Sequence, residues 1–324
     1  MRSQRGGVTS RPGEAGRGSG WAVCCRGASG AGAQADMMIR EPVKAGSFYP
    51  GAADACSAAA AKYCRLEPAD RPSAGTVIGG VVPHAGWMCS GRVAGRVFAA
   101  MRSEPVPQTI VLLGAMHRVL GRRGVVFASG QWRTPSGTVD VDEELAGLLL
   151  DQSEHVLEDR SVHQDEHSLE VQVPFVQQVF PGCRILPILV PPVAVAPLIG
   201  EAAALAAEKC DCPVLVVAST DLTHYGPVYG FTPQGSGEGA LAWAKDVNDR
   251  RVIDLVLAMK ADAIVPEVAA HRNACGAGAL AAAVAATKRM GATRGILLEH
   301  TTSREVLADR GFDGAVGYAG IVFV

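Results

Sequence analysis

Apolar residues fall in short runs separated by glycine, proline and charged residues, and the runs follow two periods. Runs rich in β-branched residues over 76–82, 109–113, 124–128, 184–190, 213–218, 295–298 and 315–324 predict buried strands. Between them, apolar positions at helical spacing predict helices over 52–64, 91–102, 141–150, 196–209, 240–259 and 276–290, with Pro197 suited to a first helical turn. The most apolar stretch, 185–200, carries Pro187, Pro191, Pro192 and Pro197 and reads as a strand followed by a loop. No uninterrupted run of 18 apolar residues exists, so no transmembrane helix is expected. Strand alternating with helix sets the fold class: α/β, a single domain with a central, mostly parallel or mixed sheet flanked by helices.

The ends of three of these strands carry histidine. The run over 76–82 leads into Pro83-His84-Ala85-Gly86, and 109–113 leads into Gly114-Ala115-Met116-His117. The run over 213–218 leads into Ser219-Thr220-Asp221-Leu222-Thr223-His224. Open α/β sheets bind ligands beyond the carboxyl ends of their strands, so three imidazoles delivered there point to one pocket. A second cluster runs from His163 through Asp165, Glu166 and His167 to Glu170. If it opens a helix, His167 and Glu170 share a face, as do Glu166 and Glu170. A carboxylate beside an imidazole fixes its tautomer, pairs with it as acid and base, or supports a metal ligand; the plainer reading is a solvated acidic helix start. A third feature is Cys275, between Ala274 and Gly276 ahead of an Ala-rich helix. A thiol there is expected to have a lowered pKa and to serve as thiolate ligand or nucleophile, against the alternative of a small buried packing residue. Cys89 has no such position and reads as packing.

Composition narrows the picture. The 324 residues are 48% hydrophobic and 19% charged with a formal net charge of −2, which excludes wholesale disorder and gives nucleic acid no electrostatic footing. The first 36 residues differ: nine glycines and five arginines against two acids give +3, so the remainder carries −5. Met37 and Met38 follow directly, and residues 1–37 read as a disordered extension or a mis-assigned start, with a basic interaction tail as the alternative. Residues 38–324 then form the α/β domain. Nine cysteines, an odd number without a CxxC pair, read as reduced thiols of a cytoplasmic protein, and no secretory leader is evident. Dinucleotide-binding, Walker A and GxSxG patterns are missing, and Ser219 with His224 is too little for a serine triad.

Taken together and in order, several stretches carry a family signature. They are 43–50, Pro83-His84-Ala85-Gly86, Leu113-Gly114-Ala115-Met116-His117, Glu166-His167-Ser168-Leu169-Glu170, 219–226, Ala274-Cys275-Gly276, Thr301-Thr302-Ser303 and 316–320. The chain resembles the Memo family, also described as the B protein of the AmmeMemoRadiSam system, over nearly its whole length after residue 38. The resemblance implies a fold similar to that of LigB-type class III extradiol dioxygenases, which are non-haem iron enzymes. It implies His84, His117 and Cys275 as metal ligands. Asp221 and His224 stand nearby, His224 where those dioxygenases keep an acid/base histidine, and His167 and Glu170 are further pocket residues. Those dioxygenases use two histidines and a carboxylate; a thiolate in third place donates more charge, is itself oxidisable and favours Cu(I), Fe(II) or Zn(II). Dioxygenase activity therefore does not carry over from the fold. A second departure is Ala115-Met116 before His117, where many relatives carry Ser or Pro and a second His.

The expectation is a metal-dependent redox or oxygenase-like enzyme with Fe(II) or Cu as cofactor and Zn possible. His224 moves protons, and Asp221 orients His224 or the substrate. Two alternatives stand beside it. One is a non-catalytic binding module that takes a small molecule or peptide and partners radical-SAM and AMMECR-type proteins. The other is a metal-assisted hydrolase with zinc-bound hydroxide.

Overall fold

Every one of the seven β-branched runs forms a strand: six are buried on both faces, and the run over 295–298 is half-buried. The computed structural model describes residues 38–66, 75–102, 106–118, 121–308 and 313–324; the extension expected over 1–37 lies outside the described residues. The strands are β1 (Ile39–Arg40), β2 (Gly79–Val82), β3 (Thr109–Ala115), β4 (Gly124–Val126), β5 (Gln131–Thr134), β6 (Gly137–Asp140), β7 (Val156–Glu158), β8 (Arg184–Val190), β9 (Val214–Ser219), β10 (His224–Tyr225), β11 (Gly295–Thr302) and β12 (Ala315–Phe323). The helices are α1 (Ala53–Tyr63), α2 (Trp87–Ala100), α3 (Glu143–Gln152), α4 (Arg160–His163), α5 (Val173–Val179), α6 (Ala196–Cys210), α7 (Glu238–Trp243), α8 (Arg250–Leu257), α9 (Ala261–His271), α10 (Ala277–Arg289) and α11 (Ser303–Leu307). The helix expected over 240–259 is three pieces: α7, a π-helical stretch Ala244–Asp249, and α8. The short β5–β6 hairpin, α9 and α11 have no counterpart in the hydrophobic pattern.

A nine-stranded mixed sheet runs β10-β12-β2-β9-β3-β8-β4-β7, with β11 on β12. At its centre β2, β9, β3 and β8 are all parallel. The flanks turn antiparallel, where β12 pairs β2 and β4 pairs β8. Side chains of the central strands alternate between two cores, as a period of two demands. Val111, Leu113, Val216 and Ala218 face a layer built by α3, α6, α8, α9 and α10. Ile110, Leu112, Leu215 and Val217 face a layer built by α1, α2 and α5. This is the expected α/β architecture, a mixed sheet flanked by helices. A smaller sheet, β1-β5-β6, ties the start of the described chain to the β5–β6 hairpin.

Two details matter below. Cys210 and Cys212 are disulfide-bonded, which corrects the expectation of reduced thiols throughout; Asp211 between them is left-handed (φ 53°) and turns the chain back at the end of α6. Among the described residues, no helix is long and apolar enough to cross a membrane.

Candidate functional site

Because β9 lies between β2 and β3 and all three run parallel, their carboxyl ends open side by side. β2 delivers His84, β3 delivers His117, and β9 delivers Asp221. The segment 164–169, which is not helical, folds over them and adds His167. The ligand atoms of His84, His117 and His167 all lie within 4.8 Å of one another, so these three side chains could hold a metal ion.

Hydrogen bonds fix two of the rings. Ser219 Oγ donates to the Ser168 carbonyl (2.6 Å) and accepts from Gln172 Nε2 (3.1 Å). Its remaining lone pair takes the Nδ1–H of His84 at 3.1 Å, which leaves His84 Nε2 with a free lone pair. His117 Nδ1 faces both carboxylate oxygens of Glu166, at 3.0 and 3.1 Å, so its Nε2 is likewise free. A carboxylate behind a ligating imidazole is the usual support of a metal site. His167 Nδ1 stands 3.5 Å from the same carboxylate.

Burial sets the charge of the cluster. It pushes His84 down to about 3, with the neighbouring His117 acting the same way, and His167 down to about 4. For His117 burial also lowers the pKa, but the hydrogen bond and charge of Glu166 outweigh it and the net shift is upward. Burial opposes ionisation of Glu166, yet His117 and the Ser168 amide hold its carboxyl down to about 2. His84 and His167 are thus held neutral, the state in which imidazole ligates metals, while His117 is paired with the Glu166 carboxylate.

Cys275 Sγ lies 3.2 Å from His84 Nε2 and accepts the Asp221 N–H at 3.3 Å. One ion bound to a His nitrogen at about 2.0–2.1 Å and a Cys sulfur at about 2.3 Å keeps these donors roughly 3.5 Å apart, so the pair is placed to share it. The expected low thiol pKa is corrected. Burial and then the nearby Asp221 push Cys275 up to about 12, which outweighs its place ahead of α10. Asp221 Oδ1 accepts the backbone N–H of His84 (2.7 Å) and Ala85 (3.3 Å), and burial raises its pKa. His224 donates Nδ1–H to the Leu222 carbonyl at 3.0 Å and turns its Nε2 lone pair outward, its ring edge-on to Tyr229.

Glu170 does not join them. It is buried against Arg40 (2.8 Å) and accepts from Tyr49 Oη and the amides of Val43 and Lys44. Its assignment as a pocket residue is therefore corrected: it begins a short 3₁₀ turn, Glu170–Gln172, its oxygens are taken by these partners, and it is not among the residues that line the cavity. Glu166, adjacent in sequence to His167, is the carboxylate that meets the imidazoles. A cavity of about 510 Å³ opens over the cluster; besides the three histidines, Asp221 and His224, its walls include Phe48, Cys89, Tyr229, Arg304 and Tyr318. Cys89 packs against Val93, Val316 and Tyr318, as its packing reading has it, and also lines the cavity. Tyr229 comes from a segment with no local chemical signature, and Tyr318 enters the sequence reading only through the family stretch 316–320, which says nothing of a cavity wall.

The family model described as "Memo-like protein" matches residues 40–322. A MEMO1 family protein of Thermococcus onnurineus is 36% identical over 293 residues, covering 88% of this chain and 99% of that relative. A second, from Methanopyrus kandleri, is 35% identical over 297 residues, again covering 88% of this chain and 99% of the relative. Among solved structures, an uncharacterized protein from Escherichia coli K12 aligns with a TM-score of 0.43 at 14% identity, covering 66% of this chain and 86% of that one.

Proposed function

This chain belongs to the Memo-like protein family, and we propose that it is a metal-dependent redox protein, an oxygenase-like enzyme. It holds one iron or copper ion on His84, His117 and the Cys275 thiolate, with His167 completing the donor group. The observation that carries this reading is the convergence of three imidazoles within 4.8 Å of one another, beneath a cavity large enough for a small molecule. Such an ion supplies Lewis acidity and one-electron chemistry, and a mixed imidazole–thiolate donor set suits Cu(I), Fe(II) or Zn(II).

The residues around the cluster divide the remaining work. Ser219 and Glu166 hold the His84 and His117 rings with Nε2 lone pairs free. Asp221 fixes the backbone that carries His84. His224, with Nδ1–H committed to Leu222, receives a proton at Nε2 from a molecule in the cavity and returns it. Phe48 and Tyr229 wall the cavity on two sides and limit water beside the imidazoles.

The test is metal content per chain after anaerobic purification, for wild type, His84→Ala and Cys275→Ala. The expected result is stoichiometric iron or copper in the wild type and loss in both variants. Wild-type protein without a transition metal, or unchanged content in His84→Ala, would overturn the proposal.

A further inference from the structure

Behind the segment that carries Asp221 and His224 lies a buried polar group that no part of the site described above uses. Asp249 is 1% exposed and ends the π-helical stretch Ala244–Asp249. π turns are rare and are frequently found at functional sites. A carboxylate buried here is costly unless its oxygens are bonded, and both are. Oδ1 accepts the Thr223 N–H at 2.9 Å, and Oδ2 takes His300 Nε2 at 3.0 Å.

The preceding residue works on the same target. Asn248 Nδ2 donates to Thr223 Oγ1 (3.0 Å) and to the His271 carbonyl (3.1 Å). Consecutive residues of the π-helical stretch therefore hold both the amide and the hydroxyl of Thr223. From the other side β12 grips the same segment: Leu222 N–H donates to the Gly317 carbonyl at 2.8 Å and Gly317 N–H to the Thr223 carbonyl at 3.0 Å. A Cβ at position 317 would overlap Asp249 Oδ2, so any larger residue there must displace that carboxylate. The Leu222 carbonyl, held in place this way, is the acceptor of His224 Nδ1–H.

Resting on the reading of His224 as the proton-moving group, we propose that Asp249, backed by His300, is the positioning residue that sets the 221–224 segment and with it the tautomer of His224. The path is short: the Asp249 carboxylate fixes the Thr223 N–H, the Leu222 carbonyl belongs to the same planar peptide group and is fixed with it, and that carbonyl selects Nδ1–H over Nε2–H. His300 anchors the second carboxylate oxygen so that Oδ1 stays aimed at Thr223.

The test is nitrogen-15 NMR of the His224 imidazole in metal-free protein, assigned by its loss in His224→Gln. Wild type should show one protonated Nδ1 and one unprotonated Nε2. In Asp249→Ala, and independently in Gly317→Ala, both nitrogens should shift toward the midpoint of the two positions, as a tautomer mixture does. Asp249→Asn should restore the wild-type pattern, since its oxygen still accepts from Thr223 and its amide can donate to a deprotonated His300 Nε2. A merely structural role would lower the melting temperature and leave the His224 signals in place, and that result overturns the proposal. Should Asp249→Ala and Gly317→Ala fail to fold, His300→Ala is read by the same signals. Because no metal enters the measurement, a wild type that binds none overturns the proposed function and leaves this positioning role standing.

Discussion

Glu166 and Glu170 stand four residues apart, yet one backs His117 and the other is consumed by Arg40, Tyr49 and two backbone amides. A spacing of four brings side chains together only on a helix, and the chain over 164–169 is irregular. The two carboxylates should therefore fail differently. Glu170→Gln leaves the buried Arg40 guanidinium without its counter-charge and is expected to cost about 3–5 kcal/mol in urea unfolding while metal content stays at the wild-type level. Glu166→Gln should keep the fold and weaken metal affinity about 10–100-fold, as loss of a carboxylate behind a ligating histidine does. If metal titration shows Glu170→Gln as the weaker binder of the two, the assignment is reversed. At this scale the sequence offered both carboxylates and all three histidines of the cluster. It could not say which carboxylate met which histidine, because that depends on where an irregular segment crosses the strand ends.

Among elements, α10 is the one whose composition is explained only by its neighbours. It packs against α6, α9 and the central strands, and Ala279, Ala281, Ala282 and Ala283 are fully buried. Helix backbones meet closely where α6 crosses it: a Cβ at Gly200 would collide with the Ala282 carbonyl. Gly200→Ala, a substitution that favours a helix by propensity, is therefore expected to destabilise the protein by about 1–3 kcal/mol through overpacking. Its urea midpoint should fall at unchanged m-value; a stability equal to or above wild type would refute the close crossing. The consequence reaches the site, because Cys275 and Gly276 lead directly into α10 and Gly276 N–H donates to Thr220 Oγ1 at 2.8 Å. The hydrophobic pattern located α10 within a residue or two. It gave no sign of α9 or of the π-helical stretch, since both depend on long-range contacts and not on local periodicity.

For the molecule as a whole, the cluster joins the ends of β2 and β3 to the irregular segment before α5, so an ion held there links parts of the chain far apart in sequence. A ligand that binds only the folded state adds about 2.7 kcal/mol at a hundredfold excess over its Kd. For a chain of this size, with an unfolding entropy of about 2.1 cal/mol/K per residue, that corresponds to roughly 4 °C in melting temperature. Calorimetry with and without anaerobic Fe(II) should show this rise in wild type and none in the His84→Ala, His117→Ala double variant; an equal rise in both would place the ion elsewhere. Strand and helix alternation, the α/β class, the histidines at strand ends and the family signature were all legible in the sequence, because each rests on local periodicity or on residues close in the chain. The order β2-β9-β3, the docking of 164–169 over those strand ends, the choice of Glu166 over Glu170 and the raised pKa of Cys275 were decided only by the tertiary structure. Strand order, docking and burial are relations between segments that lie from 49 residues apart, as for His117 and Glu166, to 137 apart, as for His84 and Asp221, and the pattern of polar and apolar residues along one segment carries no information about which distant segment it will meet.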